Sequence, residues 1–457
     1  VSLEYRVQNP ATNEVVETFR QASDEDIQRL AEKATSAFDD WSSRSLAERG
    51  AALKRLAQLF RDNKDELAKT SCIEMGKPLH EMIEEAEFSA DIIEYYADNG
   101  EDFAKDQPIS TPDGDAVIRR KPIGPLVGIM PWNFPYYQVA RFIGPNLMLG
   151  NTIILKHAEI CPRSALAVEK LVLEAGIPEG VYNNVFAGHD QIADLIADER
   201  IQGVSLTGSE RAGAAVAAQA GKHLKKAVLE LGGTDPYIVL DTDDVAAAAK
   251  QAWEVRMVNT GQACNSNKRL IVMEDIYDDF VAELVSLAEG MTPTTWDAYS
   301  EGTYCPLSSR DAAETLRTQL DDAVAAGATL RTGGELADTG AYISPAVITD
   351  IPRGSESFYQ EFFGPVAEVY RVSTDEEAIE LANDSLYGLG GAVFATDEAR
   401  ARAVADKLEV GMANVNTPAG EGAELPFGGV KRSGYGRELG PLGMDEFVNK
   451  QLYYVAK

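Results

Sequence analysis

Cysteine, histidine and positive charge are all scarce in this chain of 457 residues. It carries 4 Cys and 4 His, and 42 Lys and Arg stand against 73 Asp and Glu, for a formal net charge of −31. Cys72, Cys161, Cys264 and Cys305 lie far apart with no Cys-x-x-Cys pair, which argues against a disulfide scaffold. His80, His157, His189 and His223 form no ligand pair with one another or with cysteine at helical or turn spacing, so no metal site is expected. A surface this acidic repels phosphate backbones and anionic membranes, so neither nucleic acid nor a membrane is an expected partner. No run of about 20 apolar residues occurs that would span a bilayer. The stretch Val1–Arg6 also lacks the basic and apolar regions of a secretory signal. We therefore expect a soluble, cytoplasmic protein.

Disorder is excluded by the composition, because 45% apolar and 25% charged residues are ordinary for a globular protein. At about 150 residues per domain the length corresponds to two or three domains. Residues 23–105 read as helices: Ser23-Asp24-Glu25-Asp26 is a start signal with acids in the first turn, and apolar residues recur at three- and four-residue steps from Leu46 to Phe60. From Pro122 short apolar runs alternate with amphipathic stretches. The runs are Leu126–Met130, Thr152–Leu155, Tyr182–Phe186, Gly203–Leu206 and Ala227–Leu229, with helices such as Ser164–Glu174 and Arg211–Gly221 between them. This alternation predicts an α/β fold with a doubly wound, mostly parallel sheet. A second alternating region, with candidate strands at Tyr237–Leu240, Leu270–Met273, Val366–Val372 and Leu389–Phe394, predicts a second α/β unit. Val117–Lys121 and Leu452–Val455 read as extended pieces that need a partner, either a neighbouring subunit or their own domain.

Standard phosphate-binding and serine-nucleophile signatures are absent. No Gly-x-Gly-x-x-Gly follows a strand, Gly208 to Gly213 has P-loop spacing but continues Ala214-Ala215, and no Gly-x-Ser-x-Gly occurs. What remains at a strand-to-helix junction is Leu206 to Gly213, where free amides and a helix dipole could receive a phosphate. Read plainly, the same stretch is a helix start capped by Ser209. Asn259-Thr260-Gly261-Gln262-Ala263-Cys264 delivers one cysteine from a small-residue turn, and Lys268 or Arg269 nearby could favour the thiolate. Taken alone, Cys264 could equally be a small buried residue. Glu230, in Val228-Leu229-Glu230-Leu231-Gly232-Gly233, is either a desolvated carboxylate suited to general-base work or an exposed strand end.

With Pro131-Trp132-Asn133-Phe134-Pro135 these pieces become specific: the chain resembles the aldehyde dehydrogenase superfamily. The ordered agreement extends through Lys156 in Leu-Lys-His-Ala-Glu, Thr207-Gly208-Ser209, Glu230 in Glu-Leu-Gly-Gly, Cys264 in Gly-Gln-Ala-Cys, Glu361-Phe362-Phe363-Gly364-Pro365 and Pro426 to Gly434. The resemblance implies a cofactor-binding unit at 1–107 and 123–233, a catalytic unit at 234–432, and a small β arm for oligomerisation at 108–122 and 447–457. It implies that Cys264 attacks an aldehyde to give a thiohemiacetal, that the Asn133 side-chain amide and the Cys264 backbone N–H hold the oxyanion, and that Glu230 activates water against the thioester. For the cofactor it implies NAD(P), with Trp132, Lys156, Glu159, Gly208, Ser209, Gly213, Leu231, Glu361 and Phe363 at its site. A carboxylate at Glu159 would bond a ribose 2′-OH and repel a 2′-phosphate, so NAD is expected over NADP. Glu210, where the family often has Thr, is an objection to tight phosphate contact unless it points away.

Within the superfamily the stretch Asn133 to Leu147 and the Gly-Tyr-Gly-Arg-Glu-Leu at Gly434 to Leu439 look most like succinate-semialdehyde dehydrogenases. That resemblance implies Arg141 as the group meeting a distal carboxylate, with a surface salt bridge as the plain alternative. Val258 stands where some members have a second Arg, and Gly420 to Glu424 replaces a segment that commonly offers a Ser, so Glu421 or Glu424 would sit in the mouth. Another aliphatic or aromatic aldehyde is the alternative substrate. A CoA-acylating enzyme is disfavoured by Glu230, and a catalytically silent paralogue by the presence of Cys264, Glu230, Asn133 and Lys156. The family also implies a homodimer or homotetramer.

Overall fold

Ser23 caps the first long helix, Asp24–Ser43, in a reciprocal box with Asp26, as the start signal predicts. The computed structural model describes residues 4–457, so Val1–Leu3, assigned above to the cofactor unit, lie outside the described residues. Three more helices follow, Leu46–Asp62, Lys64–Met75 and Leu79–Phe103. They pack through Trp41, Leu53, Phe60, Met82 and Tyr96, all fully buried, against the helix Tyr137–Leu149, which is itself buried on nearly every side. No helix among the described residues is long and apolar enough to cross a membrane.

The expected doubly wound sheet is present with six strands. Its order is Gly434–Tyr435, Lys226–Glu230, Gly203–Thr207, Pro125–Met130, Thr152–His157, Tyr182–Asn184, all parallel except the first. The chain winds outward from Pro125–Met130 in one direction, then returns to build Gly203–Thr207 on its other side. The switch point therefore lies between these two strands, and sheets of this kind bind ligands beyond the strand carboxyl ends there. Those ends deliver Trp132 and Asn133, Lys156 and Glu159, Thr207 to Ser209, and Glu230.

The second α/β unit holds a seven-stranded sheet in the order Thr329–Thr332, Ala346–Thr349, Val366–Val372, Arg269–Met273, Pro236–Val239, Gly390–Phe394, Met412–Val415. All pairs are parallel except the first, at the sheet edge. The C-terminal stretch then returns to the first sheet. Gly434 pairs opposite Glu230, and its φ of +112° with Leu229 O only 2.0 Å from where a Cβ would stand restricts this crossing to glycine. Ser433 joins the units: its carbonyl accepts from Leu231 N, its hydroxyl donates to Gly232 O, and it accepts from Gly388 N.

The two extended pieces find each other. Val448–Ala456 runs antiparallel to Gly114–Pro122 over nine residue pairs, and Gln107–Ile109 covers the opposite edge. The tail thus docks on its own chain, leaving Leu452, Tyr453, Tyr454 and Val455 exposed and the outer edge of its strand unpaired among the described residues.

Candidate active site

Cys264 sits on a turn that the backbone does not adopt freely. Asn259 (φ +50°), Thr260 (φ +51°) and Gly261 (φ +77°) are consecutively left-handed, a strain of about 1–3 kcal/mol for each of the two non-glycine residues. Surrounding groups hold it. Arg256, fully buried, donates to the carbonyls of Gly261, Val366, Phe362 and Gly364 and to Ser266 Oγ. The turn is thereby tied to the loop carrying Glu361 and Phe363. Glu81 accepts from Asn259 N at 2.8 Å, and burial pushes its carboxyl up to about 7.

The turn faces a cavity of about 980 Å³ whose lining includes Phe88, Phe134, Tyr137, Cys264, Met412 and Phe427. Asn133 donates its side-chain amide to Gln262 O at 3.1 Å, so the strand-end loop and the cysteine turn are directly linked. One N–H of that amide remains available to an incoming oxygen. His157 holds the same loop from behind. Its Nδ1 accepts from Ala158 N, so Nε2 carries the proton and donates to Pro135 O at 2.9 Å; burial lowers its pKa to about 4.

Glu230 is buried rather than exposed, with 2% of its surface accessible and neither carboxylate oxygen hydrogen-bonded. Burial, then repulsion from Glu438, raises its proton affinity well above the ordinary carboxylate, with Arg141 opposing. Arg141 is fully buried. Its guanidinium lies between the rings of Tyr137 and Phe427, at 4.7 and 4.4 Å. Its Nε lies 2.7 Å from Glu438 Oε2 without the alignment of a hydrogen bond, and Nη2 has no acceptor. The charge acts on Glu230 and Cys264 alike. The salt bridge weighed as the plain reading for Arg141 therefore exists, but in the interior rather than on the surface.

The two basic neighbours of Cys264 separate. Lys268 donates to the carbonyls of Ala263 and Cys264 and pairs with Glu361 at 3.0 Å. Arg269 turns to the opposite side, its guanidinium between Phe358 and Tyr370, because side chains alternate along the strand it begins. Arg269 is thus not an activator. Burial dominates at Cys264 and pushes the thiol up to about 11, against the pull of Arg141 and Lys268.

At the switch point the cofactor candidates take distinct positions. Lys156 and Glu159 form an ion pair; although burial opposes it, Lys156 holds the Glu159 carboxyl below its ordinary range. Gly208 N already donates to Glu230 O, and Ser209 Oγ caps its own helix by accepting from Ala212 N, so the cap reading of Ser209 is correct. The first-turn amides remain as anion donors. Gly213 faces the Leu231 side chain, 2.7 Å from a would-be Cβ, which makes both packing residues at this point. Glu210 pairs with Arg432, which removes the objection raised by its charge. Glu361 Oε2 lies over Gly232, 2.1 Å from where a Cβ would stand, and Trp132 meets Phe363 edge to face at 5.9 Å. Thr207 Oγ1 is buried without a partner at the same strand ends. An orphaned hydroxyl, free helix amides and a glycine-floored cradle together fit a dinucleotide. Among the described residues no group of three His, Cys, Asp or Glu could hold a metal ion.

Carboxylates outnumber cations in the cavity lining. Glu84, Glu254, Glu301 and Glu421 line it with Val258, while Glu424 does not, and Lys250 in the same lining pairs with Glu254 and Glu301. Sequence reasoning missed Lys77, Glu81, Glu85, Arg256 and Glu438. Glu438 stood inside the quoted Gly-Arg-Glu-Leu stretch, and only its long-range pairing gives it a place in the site.

The sequence model described as "Aldehyde dehydrogenase family" matches residues 2–452. A succinate-semialdehyde dehydrogenase [NADP(+)] of Deinococcus radiodurans is 48% identical over 446 residues, covering 97% of this chain and 93% of the relative. A succinate semialdehyde dehydrogenase [NAD(P)+] of Escherichia coli is 39% identical, covering 97% and 96%. The crystal structure of succinic semialdehyde dehydrogenase from Streptococcus pyogenes in complex with NADP+ superposes with a TM-score of 0.96 at 43% identity, covering 99% of this chain and 100% of that one.

The protonation state of Cys264 is open to measurement. Because the neutral thiol persists below its raised pKa, the thiolate fraction grows about tenfold per pH unit. Alkylation of Cys264 by iodoacetamide in the cofactor-free protein, followed by mass spectrometry, should therefore accelerate about tenfold per unit from pH 7 to 9 without levelling. A plateau below pH 9 would show a thiolate already formed.

Proposed function

The chain belongs to the aldehyde dehydrogenase family, and from that premise we propose that its substrate is succinate semialdehyde, oxidised to succinate. As a member it oxidises an aldehyde to a carboxylic acid with a nicotinamide cofactor. In the reading we propose, Cys264 gives up its thiol proton to solvent, the thiolate Sγ attacks the aldehyde carbon and the carbonyl oxygen becomes an anion. The free N–H of the Asn133 amide and the Cys264 backbone N–H stabilise that charge in a water-poor cleft, a contribution of about 3–4 kcal/mol per donor. The nicotinamide, when bound, accepts the hydride released as the thiohemiacetal becomes a thioester. Glu230 then takes a proton from the water that opens the thioester, a task suited to a carboxylate of high proton affinity.

The observation that carries the substrate is Arg141. A guanidinium with an unpartnered Nη2, buried behind the Tyr137 and Phe427 rings that line the cavity, would meet a distal carboxylate by a charge-assisted bond once those rings part. The names of the relatives agree with this reading. The acidic lining and Val258 in place of a second cation oppose it, so a neutral aldehyde is the second reading.

For the cofactor we propose NAD over NADP. Support comes from Glu159, ionised and set against Lys156, which would repel a 2′-phosphate. The relatives named for NADP(+) lean the other way. We also propose a homodimer or homotetramer in which the unpaired outer edge of Val448–Ala456 meets a second copy, and residues 108–122 with 447–457 form that arm.

One kinetic panel tests substrate and cofactor together. Wild type should favour succinate semialdehyde over butanal, and Arg141→Met, which also removes a charge acting on Glu230 and Cys264, should lower kcat/KM for the anionic aldehyde about 10- to 100-fold more than for butanal, as expected for a charged hydrogen bond. Equal losses would confine Arg141 to its action on Glu438, Glu230 and Cys264. Glu159→Ser should shift the NAD-to-NADP preference at least about tenfold toward NADP; a wild type that already prefers NADP would remove the Glu159 argument. Ending the chain after Lys450 should slow its sedimentation by weakening assembly, and an unchanged profile would exclude the tail from the interface.

A further inference from the structure

Behind the loop that carries Asn133 lies a buried ion pair that none of the steps above uses. Lys77 and Glu85, 1% and 5% exposed, meet at 2.7 Å. Lys77 Nζ also donates to Asn133 O at 3.1 Å and lies 3.5 Å from the centre of the Phe134 ring. Glu85 accepts through its other oxygen from Tyr136 N and Tyr137 N, at 2.9 and 3.1 Å. It thereby caps the helix Tyr137–Leu149, whose own N-terminal residue supplies no side-chain cap. Asn259 Nδ2 completes a closed ring of bonds, donating to Asn133 O at 3.0 Å and to Gln262 O at 3.2 Å, the carbonyl that also receives the Asn133 amide.

We propose that Lys77, held by Glu85, is a positioning residue for the oxyanion donor: it fixes the Asn133 peptide so that the side-chain amide stays aimed beside Cys264. A buried ion pair is weak evidence for stability, since apolar residues often serve as well or better. Its value is registry, and every bond this pair makes beyond itself goes to residues 133–137. A donor displaced by about 1 Å loses about 100-fold in rate, which is the scale on which such a clamp acts. The inference rests on Asn133 as oxyanion donor.

A double-mutant cycle on the pre-steady-state burst of reduced nicotinamide, with the full-length chain at saturating cofactor and aldehyde, tests both layers. Asn133→Ala alone should slow the burst at least about 100-fold. Lys77→Met should slow it about 30-fold or more in the wild-type background with the cofactor Kd unchanged within about twofold, yet about threefold or less when Asn133 is already Ala. Equal slowing in both backgrounds would make Lys77 merely structural and overturn the proposal. A normal burst in Asn133→Ala would instead overturn the oxyanion assignment, and the clamp with it. Should Lys77→Met fail to fold, Glu85→Gln keeps the shape and an acceptor oxygen and is carried through the same cycle with the same readings.

Discussion

The site depends on ionisable groups being taken out of water where the two sheets meet. Glu230, Glu438 and Arg141 are buried together and act on one another, and charges in such places must be paired or neutralised. Arg141 and, from further along the chain, Arg437 pull on Glu230 against Glu438 and Glu446, and the unpartnered oxygens of Glu230 mark the imbalance. Burial therefore raises the proton affinity of both Cys264 and Glu230. A group with high proton affinity is a poor donor of protons and a good acceptor of them, which is the property a water-activating carboxylate needs.

Such a site must be held from outside, because its own members repel. The strained turn before Cys264 is held by the five hydrogen bonds of Arg256 and by Glu81, and the Asn133 loop by His157 and Lys77. Most of these bonds end on backbone carbonyls or amides, so they fix the path of the chain rather than the identity of a side chain. The net charge of −31 sharpens the contrast. Arg141, Lys156 and Lys268 each face a carboxylate, and the field at the site reflects local pairing more than the overall acidity. Acidity returns in the cavity lining, where Glu84 and Glu421 stand beside Glu254 and Glu301, the last two paired with Lys250.

Local pattern made the scaffold legible. Strands buried on both faces read as continuous apolar runs, so Val366–Val372 has the bounds expected of it, and Gly203–Thr207 and Pro125–Met130 differ by one residue at an end, where ladders fray. Glu230 and Cys264 stood out because each lies in a short motif, Glu230 at the end of a strand and Cys264 on the turn that precedes the strand Arg269–Met273. Distant pairing did not. The strand Gly434–Tyr435 adds beside Lys226–Glu230 across some two hundred residues of chain, and nothing local marks Lys77, inside the stretch 23–105 read as helices, as buried. Arg269 shows the converse: adjacency to Lys268 in sequence means opposite faces in a strand.

Division of labour between Cys264 and Glu230 is the central claim, and single-turnover kinetics of Glu230→Gln test it most directly. Rapid mixing with cofactor and succinate semialdehyde should give a burst of about one reduced nicotinamide per site, followed by turnover slowed about 100- to 10,000-fold, the range for a general base. Absence of the burst would place Glu230 before hydride transfer, and undiminished turnover would remove it from thioester hydrolysis.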